Sequence, residues 1–164
     1  MSDLLEISSY VRGGCHAIFG CDQKDTVASL VAKVKADAAG TPMSVVSLAS
    51  ASTEQEITQL IRNGCANLVE QISAVALESE LAIDSCLAET MIRFSAEACH
   101  GVLFITEFDR AVQVQQLYTI EGKLRSVMQY ADDVAVVLCC SDEVSFEICG
   151  PERPFYRSFR RFWI

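Results

Sequence analysis

The run Val134, Ala135, Val136, Val137, Leu138, Cys139 is apolar at every position. A strand apolar on both faces must be covered on both faces, which is the situation of a central strand in a parallel sheet. Covering it takes helices above and below, and the remaining chain has them. Short apolar runs at 15–20, 43–48 and 101–105 read as further strands. Between them lie stretches of helical spacing: 2–12, 25–38, a segment capped by Ser52 or Thr53, 78–98, 111–130 and 142–149. In 25–38, Val27, Leu30, Val31 and Val34 share a face. In the capped segment, Glu54 and Glu56 fill the first turn, and Ile57, Leu60, Ile61 and Leu68 fall at helical intervals. In 111–130 the candidate core positions are Val114, Leu117, Tyr118, Ile120, Leu124 and Met128. Strand alternating with helix predicts an α/β three-layer sandwich with a five-stranded, mainly parallel sheet. The fifth strand is expected from the tail, with Phe159, Phe162 or Trp163 buried along a sheet edge. At 164 residues, 51% of them apolar, one domain with a true core is expected over 1–164.

No apolar run is long enough to span a membrane. Met1, Ser2 and Asp3 do not begin a signal peptide, so a reducing cytoplasm is the expected compartment. The eight cysteines, at 15, 21, 65, 86, 99, 139, 140 and 149, show no C-x-x-C spacing. Most lie in apolar runs, where a free thiol behaves as a small hydrophobe. The adjacent pair Cys139 and Cys140 is expected to put one thiol on each face of its strand. Two Cys-His neighbours, Cys15 with His16 and Cys99 with His100, leave a metal site conceivable. The expectation is nonetheless eight reduced thiols and no metal.

After the first strand comes a loop led by Gly20. Strand, Gly-led loop and helix is the layout of the phosphate-binding pattern G-x-x-x-x-G-K-[ST]. Counted from Gly20 without a gap, Asp25 stands at the second Gly, Thr26 at the Lys and Val27 at the Ser/Thr. The Gly lets backbone wrap phosphate, the Lys neutralises it, and the hydroxyl ligates Mg²⁺. Asp22 and Asp25 would also aim negative charge at a phosphate. Lys24 lies two places early, where a shifted loop would be needed to present it.

Other segments fall in a familiar order. His100 to Arg110 looks like a Walker B strand, apolar residues followed by an acidic end. Ile120 to Gln129 looks like the helix that follows it, Val134 to Ser141 like the next strand with its polar end, and Pro154 to Ser158 like the segment after that. Together with the Gly20 loop, these resemble the core of archaeal-type AAA+ ATPases, close to the STAND class, across nearly the whole chain. The resemblance implies a sheet in which the 15–20 strand lies between the 134–139 strand and the tail strand. The 101–105 and then the 43–48 strand would follow on the other side. It also implies departures. Thr106 stands at the Walker B Asp, while Glu107 stands at the water-activating Glu. The sensor position falls near Cys140 and Ser141, and Ser141 is expected to cap the next helix. The chain stops at Ile164, where the family continues into a helical lid.

Charge is uneven. Residues 1–150 hold nine Lys/Arg against twenty-one Asp/Glu, a net of −12, and residues 151–164 hold four Arg against one Glu, a net of +3. The acidic body argues against nucleic acid. The tail places Arg153, Phe155, Tyr156, Arg157, Arg160, Arg161 and Trp163 together, and Arg with aromatics dominates protein-binding hot spots. The expected function is therefore a catalytically inactive pseudo-ATPase without a cofactor. It would regulate or inhibit a partner protein, a related ATPase or the machinery one serves. The alternatives from other classes are weak nucleotide hydrolysis through Lys24 and Glu107, and a thiol-based redox or metal protein.

Overall fold

The computed structural model describes residues 7, 10–11, 13–21, 23–37, 41–72, 101–130 and 134–163. The helix expected over 78–98 lies outside the described residues. Of the helix expected over 2–12, Ile7, Tyr10 and Val11 are described and are helical.

Five strands form one sheet: β1 (Ala17–Gly20), β2 (Met43–Ser47), β3 (Gly101–Thr106), β4 (Val134–Cys140) and β5 (Arg160–Trp163). Their order is β2-β3-β4-β1-β5, the order the resemblance implied. Every pairing is parallel, with Ala17 opposite both Val137 and Arg160, and Val102 opposite Ala135. The sheet is thus wholly parallel rather than mainly so. Central β4 is buried at all seven positions. Edge strand β2 instead alternates, with Ser44 and Val46 buried and Val45 half exposed.

The helices are α1 (Lys24–Asp37), α2 (Glu54–Ile72), α3 (Asp109–Val114), α4 (Thr119–Tyr130) and α5 (Asp142–Ile148). On one face, Leu30 and Val34 of α1 join Ile7 and Val11 over Phe19, Phe104, Val137 and Cys139. On the other, α2, α4 and α5 bring Ile57, Ile61, Leu124, Val127 and Ile148 against Ile18, Leu103, Ile105, Val136 and Leu138. Odd and even strand residues therefore serve separate apolar layers. Gly64 lets α2 lie close on β2, since a Cβ there would stand 2.1 Å from Val46 Cγ2.

The α2 cap is Thr53. Its Oγ1 accepts from Glu56 N–H at 3.2 Å, while Glu56 Oε2 accepts from the N–H groups of Ser52 (2.7 Å) and Thr53 (3.2 Å). This is a capping box satisfying otherwise unpaired first-turn donors.

One expected helix is two. The 111–130 segment breaks after Val114, and Leu117 and Tyr118 take positive φ of 49° and 59°. Gln115 supplies the reason. Its Oε1 accepts from Glu121 N–H at 3.3 Å and its Nε2 donates to Glu121 Oε1 at 2.5 Å, which caps the start of α4. Leu117, expected in the core, is 96% exposed, and Tyr118 is also exposed; Ile120, Leu124 and Met128 are buried as expected.

Candidate functional site

Because all five strands are parallel, their carboxyl ends meet at one end of the sheet, the usual place for a ligand crevice in such sheets. A groove of about 700 Å³ lies there. Its apolar wall is Val27, Val31 and Val45, and its polar floor is Ser47, Glu107, Asp109 and Ser141.

The β1–α1 connection differs from the expected loop. Gly20 ends β1 and α1 begins at Lys24, so only residues 21–23 lie between. Asp25, Thr26 and Val27, placed in the loop by the ungapped count, are already helical. Backbone N–H groups of Thr26 and Val27 bond to Gln23 O at 3.1 and 3.3 Å. Asp25 sits in the first turn of α1, where a carboxylate complements the positive helix end that would otherwise suit a phosphate. Val27 turns into the groove wall. Gly20 is needed for a close approach: a Cβ there would meet Asp142 Oδ1 at 2.3 Å and Ser145 Oγ at 2.9 Å. The start of α5 thus lies directly against it.

At the end of β3, Glu107 adopts φ 54°, a left-handed conformation that costs a non-glycine residue about 1–2 kcal/mol. The turn puts its carboxylate where Oε2 accepts from Thr106 Oγ1 at 2.5 Å and from Ser47 Oγ at 3.0 Å. Thr106 is thus bonded to the neighbouring carboxylate. Two residues on, Asp109 accepts from Ser141 N–H at 3.1 Å and from Ser141 Oγ at 2.5 Å. Ser141 Oγ in turn accepts from Val144 N–H at 3.3 Å and caps α5, as expected. The Asp109–Ser141 clamp joins residues 32 apart in sequence, and only the cap was visible beforehand.

In the tail, β5 is an edge strand, as expected. Phe162 is buried, stacked on Phe19 at 5.4 Å and edge-on to Tyr10 at 5.5 Å between ring centroids. Two residues expected in the contact surface belong to the body instead. Phe155 is fully buried between Phe108 and Phe159. Arg153 has a side chain only 9% exposed, paired with fully buried Glu121 and, at 2.5 Å, with Glu147. Burial pulls its pKa down, but the two carboxylates outweigh this and leave it above its usual value. Tyr156, Arg157, Arg160 and Trp163 are exposed, and Arg161 is half-buried. The Arg161 guanidinium lies 3.2 Å from the ring centroid of Phe146 and 5.1 Å from that of Trp163. Phe146 is 61% exposed. It joins this stack from α5, and nothing in its local sequence marked it.

Cys15, Cys21, Cys65, Cys139, Cys140 and Cys149 are free thiols; Cys86 and Cys99 lie outside the described residues. Cys139 and Cys140 belong to opposite apolar layers. Burial pushes the thiols of Cys65 and Cys139 up to about 12, and that of Cys140 higher still, so they are neutral and unreactive at ordinary pH. His16 Nδ1 accepts from Val136 N–H at 3.1 Å. Among the described residues no group of three or more His, Cys, Asp or Glu is placed to hold a metal ion. None of their helices is long and apolar enough to cross a membrane.

No protein-family model matches the chain, and no curated protein matches its sequence. Among solved structures it is similar to a Walker-type ATPase of Pyrococcus abyssi, with TM-score 0.63 and 14% identity over 98% of this chain and 51% of that one. It is similar to Cdc6p from Pyrobaculum aerophilum, with TM-score 0.60 and 12% identity over 97% of this chain and 43% of that one. It is also similar to the Aeropyrum pernix ORC1 protein, solved in complex with DNA, with TM-score 0.58 and 14% identity over 98% and 43%. At such identities the likeness shows the fold alone, an α/β fold like that of P-loop ATPases. The chain spans about half the length of these structures or less.

Proposed function

We propose that this chain is a pseudo-ATPase: a P-loop ATPase-like core that neither binds nor hydrolyses nucleotide and acts by binding another protein. The observation that carries the proposal is the short β1–α1 connection. Three residues between Gly20 and Lys24 leave too little backbone to wrap a phosphate. The neighbouring groups add to this. Asp142 stands against Gly20, Asp25 occupies the helix start, and Glu107 and Asp109 line the groove, so a phosphate would meet carboxylates. Removing the phosphate cradle, its cation and the Mg²⁺ hydroxyl together subtracts several charge-assisted bonds, each worth roughly 1.5–3 kcal/mol.

A protein partner fits what remains. The fold is that of proteins which include ATPases, and the partner class proposed is a related active ATPase, alongside which such a core would dock. The body's charge disfavours nucleic acid. Calorimetry with Mg-ATP at millimolar concentration should give no heat of binding. A saturable isotherm in the micromolar range, or slow hydrolysis lost in Glu107→Gln, would replace the proposal with that of a residual ATPase.

A further inference from the structure

We infer that the outer edge of β5, with Phe146, Arg161 and Trp163 beside it, takes up an extended acidic segment of a partner protein as an added strand. The inference rests on the reading that the chain works by binding a protein, and it names the surface and the chemistry of the contact.

Three features converge on this edge. The first is backbone. Arg160 N–H bonds inward to His16 O at 3.1 Å, so alternation along the strand turns the main-chain groups of Arg161 and Trp163 outward. No described strand lies beyond β5. The second is side-chain chemistry. Phe146, Arg161 and Trp163 form one aromatic–cation–aromatic stack, with Phe146 61% and Trp163 49% exposed. These are the residue types that anchor interfaces. The third is charge. Arg157 and Arg161 have no carboxylate within ion-pair distance among the described residues, although the body is strongly acidic. A second copy of the chain is a poor occupant, because edge-to-edge pairing would bring the Arg157, Arg160 and Arg161 charges of both copies together. Cationic side chains guard edges against self-pairing in this way. The same charges favour a strand carrying Glu or Asp opposite Arg161 and an apolar side chain opposite Trp163. Strand addition then supplies main-chain bonds for affinity and alternate side chains for selectivity.

Trp163 is the only Trp in the chain, so its emission reports directly on the edge. The probe is a capped heptapeptide in which threonine alternates with glutamate and a central valine; its counterpart has lysine for glutamate. The glutamate peptide should shift Trp163 emission saturably and bind at least ten-fold tighter than the lysine peptide. The double variant Arg157→Glu/Arg161→Glu should reverse that order. Should this variant not fold, a second arm on the wild type decides: the glutamate peptide N-methylated at alternate residues should lose at least ten-fold in affinity. Equal binding of the two charge forms, no saturable shift at millimolar peptide, or undiminished binding after N-methylation would overturn the inference. So would a concentration-dependent dimer that buries Trp163. Acidic-peptide binding together with ATP binding would leave the surface standing and sink the pseudo-ATPase reading. Failure of both ligands would do the opposite.

Discussion

The carboxyl ends of the strands and the outer edge of β5 are opposite in how their polar groups are used. At the strand ends the groups are engaged with one another: Glu107 with Thr106 and Ser47, Asp109 with Ser141, Gly20 covered by Asp142. At the β5 edge, Arg157 and Arg161 meet aromatic rings and no carboxylate among the described residues, while Trp163 and Phe146 are exposed. The difference teaches where each region spends its chemistry. At the strand ends the polar groups that line the groove are engaged in holding the fold together, and the edge presents residue types that the fold does not consume.

The sharpest way to break this contrast lies inside the tail. Arg153→Ala would leave the buried Glu121 carboxylate without its cation, held only by the Gln115 amide, so it should cost about 3–5 kcal/mol in denaturant unfolding. Arg157→Ala, a few residues on, should change stability by less than about 0.5 kcal/mol. Comparable losses would erase the division between structural and presented arginines. The aromatics give a parallel test. Phe162→Ala removes a ring buried against Phe19 and Tyr10 and should cost roughly 3–5 kcal/mol, whereas Trp163→Ala should cost about 1 kcal/mol or less.

A smaller effect probes the strand ends. Gly20→Ala should destabilise by about 1–3 kcal/mol through overpacking against Asp142 and Ser145. Part of that loss should return in Gly20→Ala/Asp142→Ala, because the closest clash is with a side-chain oxygen. A neutral Gly20→Ala would mean that α5 does not lie against β1, and that the phosphate side is more open than described.

The thiols give a test that is read against pH. Burial raises Cys65 and Cys139 to about 12 in the folded chain, against about 8.5 unfolded. The folded state therefore holds protons that the unfolded state releases. The contribution is fully present below about pH 8.5 and is lost as pH rises from there toward 12. Denaturant midpoints should fall across that window, and the fall should be shallower in Cys65→Ala. Under native conditions at pH 8, iodoacetamide should label exposed Cys15 well before Cys65, Cys139 or Cys140.

The sheet was legible because burial writes itself into local pattern. Both-faces apolar β4, the Thr53–Glu56 capping box and the Ser141 cap all follow from neighbouring residues. What escaped is held by side-chain pairings that local periodicity does not register. Arg153 reads as a contact residue until Glu121, 32 positions earlier, is placed beside it. The 111–130 pattern reads as one helix because the Gln115 cap that breaks it acts through a side-chain amide, which periodicity does not register. An ungapped count from Gly20 shows which residues of the pattern are substituted, while the length of the connection depends on where α1 begins, at Lys24. Asp109 carries no local signal, because its partner, Ser141, sits at another strand end.

The central proposal is that this chain binds its ligand at the β5 edge and not at the strand ends, and paired melting curves test it most directly. A ligand present at about 100 times its Kd stabilises by about 2.7 kcal/mol, roughly 5–10 °C for a domain of this size. Millimolar Mg-ATP should leave the midpoint within about 1 °C of the free protein, while the acidic peptide raises it in the wild type and not in Arg157→Glu/Arg161→Glu. A midpoint raised by Mg-ATP and indifferent to the peptide would contradict the account.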